Sequence, residues 1–291
     1  MSSLAEEVSW PKDIVDRDYN ARATVSIERF ETEMRKYRDR SEDMRSLGSR
    51  FDVVYDAESG QTIDLYGAGT GGGRRPVFIF IHGGYWRALS KNDSAFMAGM
   101  LARHDIATAV VDYRLAPSVS LDEIVREVRA AVAFIWKNGA ELGIDNDRIY
   151  VGGSSAGGHL TGAVLSGGWR EDFGLPPDLI KGAMPISGLF QLAPIAASFA
   201  QEWLQLDEEA VWRLSPMNHL PEVGCPIVVA YADGEAAGFR RQSVEYDRLW
   251  REAGFPSRLI EVAGRNHFDV LLDLGVDDSE LSRRLIQLIN G

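Results

Sequence analysis

From residue 77 onward the chain alternates between short continuous apolar runs and longer stretches in which apolar residues return every three or four positions. Val77-Phe78-Ile79-Phe80-Ile81 is one such run, strand-length and without the polar alternation of a half-exposed strand. It predicts a strand buried on both faces. Further strands are predicted over 106–113, 148–152, 180–186, 227–231 and 258–262. Helical patterns over 92–103, 121–138, 239–253 and 279–289, and a helix opening at Ala156, separate them. Buried strands alternating with helices imply a mostly parallel sheet with helices on both faces. Two shorter strands, 51–56 and 62–66, flank a turn at Ser59-Gly60, and the glycine-rich stretch 67–73 reads as a flexible connector.

Two regions depart from this alternation. Residues 10–47 are rich in charge of both signs, with Val15, Tyr19, Phe30, Met34 and Tyr37 at near-helical spacing. They predict two amphipathic helices packed on the main body. A plain surface pair is the favoured reading and a lid over a pocket the other. Residues 189–220 carry Phe190, Phe199, Trp203, Leu204 and Trp212 and predict a helical insertion near a pocket mouth. A chain of 291 residues is close to the upper size for one hydrophobic core. The expectation is a single domain over 1–291, with a helical extension over 1–49 and the insertion over 189–220.

The strongest chemical signal lies where a predicted strand meets a predicted helix. Gly153-Ser154-Ser155-Ala156-Gly157 fits Gly-x-Ser-x-Gly, and strand–turn–helix is the context a nucleophile elbow requires. Ser155 is the candidate nucleophile of an α/β-hydrolase fold. Ser154 is a poorer match, because its flanks are Gly152 and Ala156. A second signal, His82-Gly83-Gly84-Tyr85-Trp86, follows the strand at 77–81. Acyl transfer needs backbone N–H groups aimed at the developing oxyanion. Here Gly84, Tyr85 and Ala156 are the expected donors, with Gly83 in reserve. Tyr85 and Trp86 are expected to wall a substrate pocket, and His82 to hold the loop through backbone hydrogen bonds.

A serine nucleophile needs a base. Of five histidines, only His267 sits on a loop after the last predicted strand, where the chain order Ser, acid, His puts it. His104, His159 and His219 have structural readings. Asp233 and Glu235 follow the strand at 227–231, and either could orient His267. Position alone favours Asp233. No His-Glu-x-x-His or Cys-x-x-Cys is present, so neither a metal site nor any cofactor is expected.

Composition narrows the partners. A net charge of −12 disfavours nucleic acid and anionic membranes, and an anionic substrate would need a local positive group. One cysteine, Cys225, rules out an intrachain disulfide. The amino terminus lacks a signal-peptide pattern, and no apolar run is long enough to span a bilayer. The expectation is a cytoplasmic protein acting on a small molecule, with a homodimer left open.

These motifs resemble a known family. His82-Gly83-Gly84-Tyr85-Trp86, Asp112-Tyr113-Arg114-Leu115-Ala116-Pro117 and Gly153-Ser154-Ser155-Ala156-Gly157-Gly158 are similar to the hormone-sensitive-lipase-like branch of α/β hydrolases. The Tyr-Trp pair, Tyr19-Asn20-Ala21-Arg22, Phe239-Arg240-Arg241-Gln242-Ser243 and Asn266-His267-Phe268-Asp269 resemble the kynurenine formamidase (arylformamidase) group. The resemblance implies hydrolysis of an aryl formamide such as N-formylkynurenine through an acyl-enzyme. It implies an acid four positions before the phenylalanine of Phe-x-Arg-Gln-Ser, which selects Glu235, with Asp233 as the alternative. The family's Pro-Glu before that phenylalanine is Ala237-Gly238 here. The rival readings are an esterase or amidase acting on another small aryl substrate, and a non-catalytic binding protein on the same fold. An intact Ser155 and His267 argue against the last.

Overall fold

A computed structural model describes residues 3–291. Two helices, α1 (Lys12–Tyr19) and α2 (Ile27–Asp43), precede strands β1 (Gly48–Val54), β2 (Thr62–Tyr66) and β3 (Arg75–Ile81). Helix α3 (Ala98–Arg103), β4 (Ala107–Val111), α4 (Leu121–Asn138), β5 (Ile144–Ser154), α5 (Ala156–Leu165) and β6 (Ile180–Ile186) follow. Three short helices, α6 (Ala193–Ala196), α7 (Gln201–Leu204) and α8 (Glu208–Leu214), fill the predicted insertion. Then come β7 (Ile227–Ala232), α9 (Ala237–Glu252), β8 (Ser257–Val262) and α10 (Glu280–Asn290).

The strands form one eight-stranded sheet in the order β1-β2-β4-β3-β5-β6-β7-β8. It is antiparallel at β1–β2 and β2–β4 and parallel from β4 through β8. Strand β3 shows why its run is wholly apolar. Val77, Ile79 and Ile81 pack on one face among side chains of α4, α5 and α9. Phe78 and Phe80 pack on the other, among those of α3 and α10. Both faces are covered, so every position is buried.

Helix α4 matches its predicted limits because its signals are local. Ser120 caps it, accepting from Glu123 N at 3.3 Å. Leu121, Ile124, Val125, Val128, Val132 and Ile135 make one buried stripe. Helix α3 is shorter than the expected 92–103. Distant groups hold the preceding residues out of the α-helix, and Lys91–Asp93 form a short 3-10 turn instead. Lys91 Nζ pairs with Asp52 and Asp64, and Ala95 N donates to Ser41 Oγ of α2 at 3.0 Å. Strand β5 starts earlier than expected, because its polar opening pairs with β3 (Ile144 opposite Arg75) and hides the strand from a hydrophobic pattern. The glycine-rich stretch is not a free connector: Gly69 N donates to Gly143 O at 3.0 Å. Among the described residues no helix is long and apolar enough to cross a membrane.

Candidate active site

The carboxyl ends of β3 and β5 lie side by side, with Ile81 opposite Gly153. Ser155 follows β5 and caps α5 with φ 60° and ψ −118°, a left-handed conformation that costs a non-glycine residue about 1–3 kcal/mol. Its neighbours hold it there. Ser155 N donates to Ile186 O at 2.9 Å. A Cβ on Gly157 would fall 2.0 Å from Ile81 O, and one on Gly153 would fall 2.5 Å from both Ile81 O and Gly157 O. Backbone cannot yield to such contacts, so the bend needs glycine at both flanks. Ser154, the rival, closes β5 in register with Ile186 and is not among the left-handed residues.

The loop after β3 takes three consecutive positive φ values, 98° at Gly84, 51° at Tyr85 and 57° at Trp86. Hydrogen bonds from separate elements over-determine it. Ala116 N donates to Trp86 O at 2.7 Å, Trp203 Nε1 donates to Tyr85 O at 3.1 Å, and the Tyr85 hydroxyl donates to Tyr19 O. None of the Gly84, Tyr85 and Ala156 amides donates to a backbone acceptor among the described residues. Gly83 lies against the elbow; a Cβ there would meet Ser154 O at 2.7 Å and Ser155 Cβ at 3.3 Å. His82 stacks on Tyr113 at 4.1 Å, its Nδ1 lies 2.9 Å from Gly83 O, and the Tyr113 hydroxyl donates to His82 O at 2.9 Å.

His267 stands between Phe239 (ring centroids 4.3 Å apart) and Phe268 (5.3 Å). Its Nδ1 lies 2.8 Å from Glu235 Oε2, and both side chains are almost fully buried. Donation of Nδ1–H to this carboxylate leaves Nε2 with the lone pair a general base requires. The other Glu235 oxygen, Oε1, is buried without a partner among the described residues, so the imidazole is this carboxylate's main counter-group. Asp233 is exposed and engaged elsewhere. It accepts from Gly264 N at 3.0 Å and Arg265 N at 3.2 Å, bracing the loop that carries His267.

Ser155 and His267 line the same cavity, of about 580 Å³. The imidazole's hydrogen bond among the described residues is to Glu235, and a bond from the serine hydroxyl to such a base commonly tightens only when substrate is bound. The walls are mostly apolar and include Phe30, Met34, Phe80, Phe96, Phe199 and Leu271.

Comparison with known proteins gives the family. The BD-FAE family model matches residues 63–173. Kynurenine formamidase of Danio rerio is 32% identical over 243 residues, covering 82% of this chain and 81% of that protein. The chain belongs to the kynurenine formamidase family. The Drosophila melanogaster enzyme of that name is 25% identical over 254 residues, with 82% and 81% coverage. A solved Silicibacter structure superposes with TM-score 0.79 at 25% identity, covering 95% of this chain and 99% of that one. A Pyrobaculum calidifontis esterase gives TM-score 0.68 at 18% identity and 92% coverage of each chain, a likeness of fold. The protein is a hydrolase of the α/β-hydrolase type.

In this member of the kynurenine formamidase family, motifs far apart in the chain meet in space. Arg241 pairs with Glu7 and Asp18, and Gln242 Nε2 reaches the Tyr19 hydroxyl at 3.3 Å while also donating to Gln191 O at 2.8 Å. Phe-x-Arg-Gln-Ser is thus the dock for the N-terminal helices. Arg114 of the motif at 112–117 is anchored on buried Glu127, its amide donating to Glu127 Oε2 at 2.8 Å.

Two readings are corrected. Trp86 is not a pocket wall. It is fully buried, and its Nε1 donates to His159 Nδ1 at 3.2 Å. An indole flanked by backbone strain needs a partner for its N–H, and the helix behind the elbow provides one. His159 in turn donates Nε2–H to Leu214 O at 2.8 Å, and burial pulls its pKa down to about 4. The N-terminal helices are not a plain surface pair. Phe30, Met34 and Tyr37 line the cavity, the Tyr37 hydroxyl donates to Phe268 O at 2.5 Å, and Arg29 pairs with Asp269 at 2.8 Å. The insertion contributes only part of what its aromatics suggested. Phe199 and Trp203 reach the cavity, Phe190 stacks on Tyr246 in the core, and Trp212 is exposed. Cys225 is a buried thiol whose pKa desolvation raises to about 12.

Proposed function

We propose that this protein hydrolyses a small aryl formamide, of the N-formylkynurenine kind, through a formyl-enzyme. The observation that carries the reading is the buried Glu235–His267 pair opening on the same cavity as Ser155 at its strained bend. Nε2 of His267 takes the Ser155 proton as Oγ bonds to the formyl carbon and the carbonyl π pair moves to oxygen. Amides of Gly84, Tyr85 and Ala156, with Gly83 beside them, hold that oxyanion. The tetrahedral adduct collapses, the C–N bond breaks, and the arylamine leaves with the proton from His267. Water, deprotonated by His267, then releases formate and frees Ser155. Glu235 orients the imidazole and stabilises its charged form. The aromatic walls suit an aryl leaving group, and the relatives carrying the kynurenine formamidase name support the formyl preference.

A second reading is an esterase or amidase with a longer acyl group. The cavity favours it, since about 580 Å³ exceeds what a single-ring formamide fills. A turnover panel of aryl formamides, acetamides and esters separates the two. The expected result is highest kcat/KM for formamides, with Ser155→Ala lowering turnover about 10⁵-fold. Preference for acetyl esters over every formamide sinks the first reading. Undiminished turnover by Ser155→Ala sinks both.

A further inference from the structure

An acidic chain offers an anionic substrate nothing at long range, so the charges inside the cavity decide whether one is accepted. Besides its histidines the lining holds two arginines, Arg22 and Arg87, and one carboxylate, Asp93. Arg22 lies in the turn after α1, and Arg87 follows the Tyr-Trp pair of the β3 loop.

Neither arginine has a carboxylate within ion-pair distance among the described residues, whereas Arg29, Arg114, Arg241 and Arg265 are all paired. Each guanidinium instead lies over an aromatic ring that also lines the cavity. Arg22 is 4.6 Å from the Phe30 centroid and Arg87 is 4.4 Å from that of Trp203. A guanidinium held over a ring face is attracted by the ring while its N–H groups stay available to a carboxylate. One Arg22 nitrogen is spent on Val25 O at 3.0 Å, which fixes the side chain further. Asp93 accepts from Ser90 Oγ at 3.1 Å, so two guanidiniums stand against one carboxylate that already has a donor.

We propose that Arg22 and Arg87 form an anion subsite that selects aryl substrates bearing a carboxylate arm. This rests on the formamidase reading for the identity of the scissile bond, but the subsite itself does not depend on it. The aryl ring lies among the aromatic walls, the scissile carbonyl at Ser155, and the arm reaches the two arginines. The pair thereby sets specificity rather than chemistry.

The test compares the wild type with the Arg22→Gln/Arg87→Gln double variant on N-formylkynurenine and on uncharged 2-formamidoacetophenone. It also measures binding of kynurenine and 2-aminoacetophenone through tryptophan fluorescence. The kcat/KM ratio of N-formylkynurenine to 2-formamidoacetophenone is expected to fall at least tenfold, mainly through KM. The binding ratio is expected to fall with it. The Arg22→Lys/Arg87→Lys variant should recover part of each, since lysine keeps the charge but not the fork. Ratios within threefold of wild type in the Gln variant overturn the subsite. If the wild type turns over neither formamide, the formamidase reading fails, and the binding ratio alone decides the arginines.

Discussion

The floor and the roof of the cavity are held by different kinds of force. The floor is main chain against main chain. Ser155 N meets Ile186 O, and Gly153 and Gly157 press on the end of β3 with no room for a methyl group. The roof is side chain against side chain. Arg241 grips Glu7 and Asp18, Arg29 grips Asp269, and the Tyr85 hydroxyl and Trp203 indole stitch the roof to the β3 loop. Backbone contacts of this closeness permit few residue types, whereas a roof made of side-chain pairs can be rebuilt from many. The BD-FAE match over 63–173 covers the β3 loop and the elbow and stops short of the N-terminal helices and His267. On the reading proposed above, the floor presents the nucleophile and the roof shapes what reaches it.

Four measurements break or sharpen that contrast. The largest effect is expected at Glu235. Glu235→Gln should lower kcat by about 10³–10⁴, because the imidazole loses its orienting carboxylate. Asp233→Asn should cost a few-fold at most. A deeper loss in Asp233→Asn than in Glu235→Gln would make Asp233 the acid instead.

Next is the elbow's packing. Gly157→Ala places a Cβ 2.0 Å from Ile81 O and should destabilise the fold by about 3 kcal/mol, read by urea unfolding. A stability within 0.5 kcal/mol of wild type, roughly the range of an inert surface change, would mean that the floor is as adaptable as the roof.

The joint between floor and insertion is His159, and its test is pH. Burial pulls its pKa from 6.5 to about 4. Between those values the unfolded chain binds a proton that the folded chain does not. Stability is therefore present above pH 6.5 and lost as pH falls toward 4. The loss is on the order of 3 kcal/mol by linkage. His159→Gln should be less stable at pH 7 yet lose less over that window. Parallel curves for the two proteins would show that His159 is not the acid-sensitive joint.

The smallest effect is expected at the roof. Arg29→Met releases Asp269, two residues after His267, and should lower kcat about fivefold with little change in KM. A loss as deep as that of Glu235→Gln would erase the distinction between the two sides.

How much of this was legible along the chain varies by feature. Strand β3, helix α4 and the elbow were readable because each is a local pattern. One needs an unbroken apolar run, one a cap and a stripe, one two glycines around a serine. Helix α3 was over-extended because Lys91 and Ala95 take their partners from β1, β2 and α2, none of which a local window contains. Trp86 was placed in the pocket because an aromatic beside an oxyanion loop fits either side of it. Only His159, 73 residues away, accounts for the inward turn. The stripe of Phe30, Met34 and Tyr37 was visible, but not what it covered.

The order of the elements, the bend that presents Ser155 and the choice of His267 follow from the sequence alone. Each depends on backbone preferences of adjacent residues or on chain order. Position along the chain favoured Asp233 and the family resemblance Glu235; the tertiary structure set Glu235 against the imidazole and brought the N-terminal helices over the cavity. Both outcomes turn on which of several chemically equivalent side chains ends within about 3 Å of a partner dozens or hundreds of residues distant, and only the packed chain specifies that distance.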